Sequence, residues 1–195
     1  MGMDGRIGSK FLNPGPGYGG SCFPKDTRAL AKISRNYDVT LSLVEATIAA
    51  NEKQKHRMVE KIEQAMGNLQ GKTVAMLGLA FKPGTDDMRE SPALTIIPEL
   101  VNRGATIKAY DPKAMDEAAW RLQGIPNLEL VDSPYEAASG AHTLVILTEW
   151  NQFRSLNLDR LYKIMKEPVF IDLRNIYEPN MVRQLGFKYH SVGRP

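Results

Sequence analysis

The sequence contains a single cysteine, Cys22, among its 195 residues. One cysteine cannot form an intrachain disulfide, so we expect a reducing compartment, the cytoplasm. No apolar run approaches the roughly 18 residues that a membrane span needs, and the N-terminus has no signal-peptide pattern. Neither sign of charge is in large excess, since 25 basic and 22 acidic residues give a net charge of +3. This balance argues against nucleic acid or an anionic membrane as the partner.

Candidate metal ligands are also scarce. The three histidines, His56, His142 and His190, lie far apart in the sequence, without the spacing of metal ligands. A zinc site usually needs several such side chains in closely spaced pairs, and only one cysteine is available to join them. The sequence therefore predicts no metal site, and we assign no role to the histidines.

Glycine and proline are unevenly distributed along the chain. Residues 13–24, NPGPGYGGSCFP, contain seven of the 16 glycines and 12 prolines. Such a stretch cannot form the interior of a helix or of a central strand. Its two aromatic residues and its lack of charge are unlike a flexible linker. We therefore predict an ordered loop, named here the cysteine loop because it contains Cys22.

Cys22 is the strongest candidate for chemistry in this loop. Gly19 and Gly20 precede it and allow the backbone to approach a ligand closely. Lys25 and Asp26 follow it, at or near the start of a predicted helix. A helix N-terminus and a nearby ammonium group both favour the thiolate, which is the nucleophilic form of cysteine. Asp26 fits two roles. It could act on a proton or a water molecule, or it could cap the helix, and its spacing alone favours the cap.

A longer helix is predicted from about Thr40 to Gly67. Its apolar residues recur every three or four positions: Leu41, Val44, Ile48, Met58, Val59, Ile62 and Met66. At 1.5 Å per residue this helix would be about 40 Å long, which is more than a small domain needs. Helices of this length often connect domains or pack against a twin in a dimer. The polar segment NEKQKHR leaves open a break into two shorter helices near Asn51.

From residue 72 onward, short apolar runs alternate with helical segments. The predicted strands are TVAMLGL, TIKAY, LELV, TLVILT, PVFID and KYHSV. This alternation predicts a Rossmann-like α/β fold, with a parallel sheet and helices on both of its faces. Ser91 and Pro92 open the first intervening helix, because they supply a cap and a proline at the first helical position. Pro98 should kink or shorten that helix.

The loop after the first predicted strand, GLAFKPGTDDMRESP, is a second candidate site. Ligands bind at the carboxyl ends of strands in such sheets, and this loop leads into a helix N-terminus that suits a phosphate. Gly78 and Gly84 lie six residues apart, so the dinucleotide fingerprint G-x-G-x-x-G is absent. Lys82 and Arg89 are cations that suit a pyrophosphate, or alternatively they form surface ion pairs with neighbouring acidic residues.

Two further charged residues stand at the ends of predicted strands. Arg174, in the motif IDLRN, follows the fifth strand at a position where a cation could face a ligand. Asp111 ends the second strand, where Rossmann domains place an acidic residue for a ribose. Asp111 equally fits the start of an Asp-Pro turn, so its role stays open.

Together these motifs resemble the UDP-glucose/GDP-mannose dehydrogenase family, and within it the UDP-glucose 6-dehydrogenases. GMDGRIGSKFLNPGPGYGGSCFPKD is similar to the segment that carries the family's catalytic cysteine. LGLAFKPGTDDMRESPA is similar to the opening of its UDP-binding domain, and LTEWNQF and IDLRN resemble two further strand-end motifs. The resemblance covers nearly all of the chain.

The resemblance implies that UDP-glucose is oxidised to UDP-glucuronate in two hydride transfers to NAD, through a thiohemiacetal and a thioester on Cys22. Asp26 would take part in the water and proton steps, and Lys25 and Arg89 would lie near NAD. The implied substrate-binding residues are Arg6, Asn13, Pro14, Gly15, Pro16, Gly17, Tyr18, Gly19, Phe81, Lys82 and Arg174. Arg6 would reach the substrate of the neighbouring subunit in a homodimer built around the long helix.

The resemblance also implies a division of the chain. Residues 1–37 would hold the cysteine loop and the first helix of a central domain, 38–71 the dimerisation helix and a linker, and 72–195 the UDP-sugar-binding domain. Family members carry an NAD-binding Rossmann domain and further catalytic residues before the cysteine segment, on which this sequence opens almost directly. We therefore expect a C-terminal fragment that by itself turns over little or no UDP-glucose.

Two alternatives remain. One is a non-catalytic module for nucleotide-sugar binding and dimerisation, although such a module has no reason to place Cys22 in a glycine-rich loop beside Lys25. The other keeps the chemistry and changes the sugar to GDP-mannose or a UDP-N-acetylhexosamine. Residues 81–92 and the sequence GYGG before Cys22 look more like the UDP-glucose branch.

Overall fold

The computed structural model, which describes residues 1–9 and 12–194, has two helices followed by an α/β unit. The helices are α1 (Phe23–Asn36), α2 (Ser42–Met66), α3 (Ala93–Asn102), α4 (Met115–Arg121), α5 (Pro134–Ala138), α6 (Leu158–Ile164) and α7 (Pro179–Gln184). The strands are β1 (Thr73–Leu77), β2 (Thr106–Tyr110), β3 (Leu128–Leu130), β4 (Thr143–Ile146), β5 (Val169–Asp172) and β6 (Lys188–Ser191). A short 3-10 helix, which the sequence did not predict, spans Asn151–Ser155. Within the described ranges, we find no helix with the length and apolar character that crossing a membrane requires.

The six strands form one parallel sheet in the order β3-β2-β1-β4-β5-β6. This arrangement confirms the predicted Rossmann-like fold. Strands β4 and β5 are buried along their whole length, as expected for central strands covered on both faces. The order reverses between β1 and β4, so the loops that leave the carboxyl ends of these two strands diverge and open a crevice.

Helix α1 begins earlier than the sequence suggested. We predicted that Asp26 would cap it, but the helix starts at Phe23 and Asp26 lies inside its first turn. Pro24 accounts for the early start, because its fixed φ suits the first turn of a helix. Cys22 therefore occupies the N-cap position, and its carbonyl accepts a hydrogen bond from the Asp26 N–H at 2.8 Å. The interpretation of Asp26 as the cap is wrong.

Helix α2 is one continuous helix of 25 residues, so the break near Asn51 does not occur. Gly67, at φ 74°, follows its last turn, as predicted. The second half of the helix packs on the α/β unit through Met58, Val59, Ile62 and Met66. Asn51 and Lys55 continue the same buried stripe towards the N-terminus of the helix.

Helix α3 starts at Ala93 with Pro92 at its N-cap, one position before the first helical position at which we predicted the proline. The helix continues past Pro98 to Asn102, so Pro98 does not end it. The Ser91 hydroxyl donates to the Leu79 carbonyl at 2.7 Å and accepts from the Ala93 N–H at 3.3 Å. These two bonds tie the start of the helix to the loop that leaves β1. The helix N-terminus is thereby fixed at the carboxyl end of the sheet.

His142 joins the first residues of β1 and β4. Its buried ring accepts a hydrogen bond at Nδ1 from the Thr73 N–H, at 2.9 Å. Burial, assisted by Lys166, lowers the pKa of His142 below its ordinary value. The neutral ring is therefore the form that fits the fold, and the protein should be sensitive to its protonation.

We expect the free energy of unfolding to decrease as pH falls below the ordinary histidine pKa of about 6.5. Above that pH the neutral ring contributes its full stabilisation, which is lost as pH falls towards the lowered pKa of the folded protein. The variant His142→Asn keeps an acceptor for Thr73 that does not titrate, so its stability should depend less on pH. Urea unfolding of both proteins at pH 7.5 and 5.5 measures the difference. Equal pH dependence would contradict the assignment.

Candidate functional site

The cysteine loop packs directly on the loop between β1 and α3, residues 78–92. The Gly20 N–H donates to the Arg89 carbonyl at 2.7 Å. A Cβ atom on Gly19 would lie 2.5 Å from the Glu90 carbonyl oxygen, and one on Gly20 would lie 2.8 Å from the Phe81 ring. Only glycine allows so close an approach, so these positions fix how Cys22 is presented to the α/β unit.

Cys22 is exposed at the N-terminus of α1, with Sγ 3.7 Å from the Ser21 hydroxyl oxygen. It opens onto a cavity of about 930 Å³ between α1, α2 and the β1–α3 loop. The cavity is mainly basic, because the charged groups that line it are Lys25, Arg28, Lys55, Arg89, Arg121 and the single carboxylate Glu90. A concave surface with this excess of cations suits an anionic ligand.

The one acidic side chain of the cavity is held by a guanidinium group. Arg28 donates two hydrogen bonds to the Glu90 carboxylate, at 2.8 and 2.9 Å. Mainly through this pairing, Arg28 lowers the pKa of Glu90 below its usual range. Lys55 is also paired, at 3.0 Å from the carboxylate of Glu52. The Arg28–Glu90 pair connects α1 to the β1–α3 loop, whereas the Lys55–Glu52 pair lies within α2.

Arg89 forms the surface ion pair that the sequence left as an alternative. It donates from Nε and Nη2 to the Asp87 carboxylate, at 2.9 and 2.8 Å. These bonds lower the pKa of Asp87. The Arg89 side chain is nevertheless 57% exposed and lines the cavity, so ion pairing and ligand binding are compatible here.

Arg174 crosses the crevice between β1 and β4. Its Nε donates to the Leu147 carbonyl at 2.8 Å, and its Nη2 donates to the Phe81 carbonyl at 3.3 Å. The Glu149 carboxylate lies 3.1 Å from Nε, and burial lowers the pKa of Arg174 despite this opposing charge. A Cβ on Gly15 would lie 2.9 Å from Nη1. Arg174 therefore holds together the ends of two strands and the start of the cysteine loop.

Asp111 is buried, and its side chain binds mainly backbone N–H groups of the protein itself. Its carboxylate accepts hydrogen bonds from five groups: the N–H of Leu79, Ala80, Lys113 and Ala114, and the indole N–H of Trp150. In dinucleotide-binding domains, N–H groups after the first strand face a phosphate. Here the N–H groups of Leu79 and Ala80 face Asp111. The turn interpretation of Asp111 is therefore correct, and the carboxylate has no room for a ribose.

The predicted site residues fall into two adjoining groups. Cys22, Lys25 and Arg89 line the basic cavity. Directly beside it, Phe81 and Arg174 pack against the glycines of the cysteine loop. In the same region the Lys82 ammonium lies 5.3 Å from the centre of the Phe81 ring, Pro16 is buried, and the Tyr18 ring stacks edge-on against Phe23 at 4.7 Å.

Other predicted residues are not drawn into the cavity. Asp26 is one helical turn beyond Cys22, pairs with Lys25 at 3.3 Å and is 66% exposed. Arg6 lies on the exposed N-terminal segment and pairs with Asp4 at 2.7 Å. Asn13 and Pro14 are exposed at the beginning of the cysteine loop. Within this chain, these four residues do not meet the cavity wall.

Sequence reasoning missed several residues of the site. Arg28 could have been found, because it lies three residues after Lys25 and so shares its helix face. Lys55 and Arg121 come from α2 and from the end of α4, and only the folded topology brings them to the cavity. Among residues 1–9 and 12–194, no group of three or more His, Cys, Asp or Glu side chains could hold a metal ion.

The fold and the site define the class: a Rossmann-like α/β protein with a thiol-bearing loop at a basic cavity. Comparison with family models adds the family. The central domain of the UDP-glucose/GDP-mannose dehydrogenase family matches residues 1–53, and the UDP binding domain of the same family matches residues 75–179. The chain belongs to the UDP-glucose/GDP-mannose dehydrogenase family.

Individual relatives agree with this assignment. The chain is 52% identical to UDP-glucose 6-dehydrogenase of Rhizobium meliloti over 196 residues, which cover all of this chain and 44% of the relative. It is 44% identical to UDP-glucose 6-dehydrogenase TuaD of Bacillus subtilis, covering 42% of that protein. Among solved structures, a UDP-glucose dehydrogenase from Pyrobaculum islandicum superposes with a TM-score of 0.82 at 33% identity, over 97% of this chain and 41% of that one. The chain thus spans less than half the length of these relatives.

Proposed function

We propose that this chain is part of an NAD-dependent UDP-glucose 6-dehydrogenase, which oxidises UDP-glucose to UDP-glucuronate. The observation that carries the proposal is the basic cavity that Cys22, Lys25 and Arg89 share. A nucleophilic thiol beside cations suits an oxidation of a phosphorylated substrate through a covalent intermediate. The 52% identity to a protein named UDP-glucose 6-dehydrogenase supports UDP-glucose as the substrate.

In this proposal Cys22 acts after the first oxidation, on the C6 aldehyde. Sγ forms a bond to the aldehyde carbon, and the carbonyl oxygen takes a proton, which gives a thiohemiacetal. Loss of a hydride from C6 and of the hydroxyl proton converts it to a thioester, and water then breaks the C–S bond to release the carboxylate and the thiol. NAD, when bound, accepts one hydride in each oxidation. Lys25 and Arg89 are cations at the cavity that fit its pyrophosphate.

Asp26 is the proposed residue for the water and proton steps. Residues four apart lie on the same face of a helix, and Asp26 stands four residues after Cys22 in the first turn of α1. Its carboxylate is 66% exposed and can exchange protons with solvent. From this position it can accept the proton of the water that attacks the thioester.

The substrate would lie along the junction of the cysteine loop and the β1–α3 loop. Residues 13–19 would surround the sugar with backbone groups, and Phe81 and Lys82 would contact the uridine diphosphate at the carboxyl end of β1. A cation at this crevice fits a diphosphate. Arg174 would face the substrate with the part of its guanidinium that the Leu147 and Phe81 carbonyls leave free.

We further propose a homodimer through α2. The first half of this helix and the neighbouring α1 expose large apolar side chains: Leu30 is 48% exposed, Ile33 54% and Leu43 85%. An apolar surface of this kind is typical of a protein interface. Arg6, whose side chain is 90% exposed, would reach the substrate bound to the partner subunit.

The proposed reaction needs more than these 195 residues. The matched models are the central and UDP-binding domains of the family, and the relatives are more than twice as long as their matched region. We therefore propose that this chain alone binds the nucleotide sugar without turning it over. We also propose that it works in the cytoplasm, where reducing conditions keep Cys22 as a thiol.

Calorimetric titration of the purified chain tests this function. We expect UDP and UDP-glucose to bind, and GDP to bind more weakly. Lys82→Ala should weaken UDP binding roughly tenfold, since it removes a charge-assisted contact to the diphosphate. Lys163→Ala on α6 is the matched control and should leave the affinity unchanged.

Two outcomes would contradict the proposal. Tighter binding of GDP than of UDP would overturn the choice of nucleotide. Production of NADH when the chain is mixed with UDP-glucose and NAD would overturn the claim that it is insufficient for turnover. Alkylation of Cys22 by iodoacetamide adds a third criterion, because slow alkylation that UDP-glucose does not affect would favour a non-catalytic binding module.

A further inference from the structure

The buried stripe of α2 changes from apolar to polar where the helix meets the cysteine loop. Met58, Val59 and Ile62 pack in the core, whereas Asn51, which is only 8% exposed, continues the stripe with an amide. Asparagine is a poor helix former, and burying its amide is unfavourable unless the amide is hydrogen-bonded. An amide at this position therefore needs a specific partner.

The partner is the backbone of the cysteine loop. Asn51 Oδ1 accepts from the Tyr18 N–H at 2.7 Å, and its Nδ2 donates to the Tyr18 carbonyl at 3.1 Å. Gln54, three residues later on the same helix face, donates from Nε2 to the Gly15 carbonyl at 2.8 Å. We name these two side chains the amide clamp. They make three hydrogen bonds to the part of the loop before α1, which has no regular secondary structure of its own.

Close packing makes the clamp a rigid connection. Gly17, between the two clamped residues, has φ 131°, and a Cβ there would lie 2.9 Å from Asn51 Oδ1. The loop backbone thus lies directly on the helix. Both backbone polar groups of Tyr18 are held, so the orientation of this peptide segment is fixed as well as its position. The Tyr18 ring in turn contacts Phe23, the residue next to Cys22.

We propose that Asn51 and Gln54 are positioning residues, which orient the Cys22 thiol by clamping the cysteine loop to α2. The inference rests on the proposed use of Cys22 as the nucleophile. The inference goes beyond the proposed function because it identifies α2 as the element that determines the orientation of the thiol. Without the clamp, the loop keeps its contacts to residues 78–92 and to Arg174 but loses its hydrogen bonds to α2, and the thiol samples several orientations.

The single cysteine permits a direct test by fluorine NMR. A trifluoromethyl thiol reagent labels Cys22 alone, because it is the only cysteine and is exposed. In the unsubstituted chain we expect one resonance displaced from that of the labelled free amino acid. In Asn51→Ala the resonance should move to the free value. Amide exchange at Tyr18 should become roughly tenfold faster, the change expected from losing about 1.4 kcal/mol of hydrogen bonding.

Three further proteins sharpen the comparison. Gln54→Ala removes one bond and should shift the resonance in the same direction by less. Asn51→Asp keeps the acceptor for the Tyr18 N–H but sets a carboxylate against its carbonyl, so it should resemble Asn51→Ala even if the alanine variant folds poorly. Gln64→Ala replaces an exposed amide of the same helix and should match the unsubstituted chain.

A residue that only stabilised the fold would lower the melting temperature and leave the fluorine resonance of the folded protein unchanged, and that result would overturn the proposal. Unchanged exchange at Tyr18 in both Asn51 variants would also overturn it. Neither readout requires a nucleotide. If UDP fails to bind while the resonance moves as expected, the proposed function fails and the clamp stands.

Discussion

Replacing Asp111 with alanine should destabilise the chain by about 4 kcal/mol, the largest loss we expect from a single substitution of a polar residue. The carboxylate is 1% exposed and accepts five hydrogen bonds, from the loops after β1 and β2 and from Trp150. Its removal leaves these buried donors without an acceptor. Because the donors come from three segments of the chain, the carboxyl ends of β1 and β2 lose their common anchor.

Urea unfolding, followed by circular dichroism, measures this loss. Asp86→Ala is the control, because Asp86 is exposed on the β1–α3 loop and should change stability by less than about 0.5 kcal/mol. Asp111→Asn keeps one acceptor oxygen but turns an amide N–H₂ towards N–H donors, so its stability should lie between those of the other two variants. Similar stabilities for Asp111→Ala and Asp86→Ala would show that the five bonds do not support the fold.

Asp111 also illustrates where sequence reasoning stops. A carboxylate at the end of the second strand of a Rossmann-like sheet has the same local sequence context whether it binds a ribose or the backbone. The role of Asp111 depends on whether the loop after β1 turns its N–H groups towards the carboxylate. These N–H groups belong to Leu79 and Ala80, which lie 32 and 31 residues before Asp111 in the sequence. No spacing rule connects these positions.

The sheet itself was predictable because its signal is local. Each strand is a short apolar run between polar segments, and alternation with helices determines a parallel arrangement. The start of α1 was misjudged because the acidic residue Asp26 looked like a cap, while Pro24 allowed the helix to begin one turn earlier. Helix α2 is nearly as long as predicted, and its polar middle does not break it. Lys55 pairs with Glu52 one turn earlier on the same helix, and Asn51 obtains its partner, Tyr18, from the cysteine loop.

The candidate site was predictable in part for the same reason. Cys22, Lys25 and Arg89 stand in compact motifs, and the structure brings all three to one cavity. The amide clamp and Arg121 carry no local signal, since each lies on a helix whose neighbours are set by tertiary packing. Arg6 and Asp26 show the opposite case, because their motifs are clear and yet they do not line the cavity of the single chain.

Gly19→Ala should separate the cysteine loop from the β1–α3 loop. The added Cβ would meet the Glu90 carbonyl oxygen at 2.5 Å and its carbonyl carbon at 2.9 Å. Both atoms are backbone, so no side chain can rotate away and the loop itself has to move. We expect this overpacking to weaken docking of the loop by about 2 kcal/mol. The neighbouring hydrogen bond, from the Gly20 N–H to the Arg89 carbonyl at 2.7 Å, should then open.

Hydrogen exchange at the Gly20 amide reports this opening and should become roughly 30-fold faster, as about 2 kcal/mol implies. Gly5→Ala is the matched control, because a Cβ there has no heavy atom within 4 Å. Exchange in β1 and β4 should stay slow, since Asp111 and Arg174 hold the carboxyl ends of these strands independently of the cysteine loop. If Gly20 exchanges equally slowly in both variants, the contact with Glu90 does not hold the loop. If the amides of β1 also exchange faster, the loop and the sheet unfold as one unit. The position of the thiol then depends on the whole fold and not on the contact between the two loops.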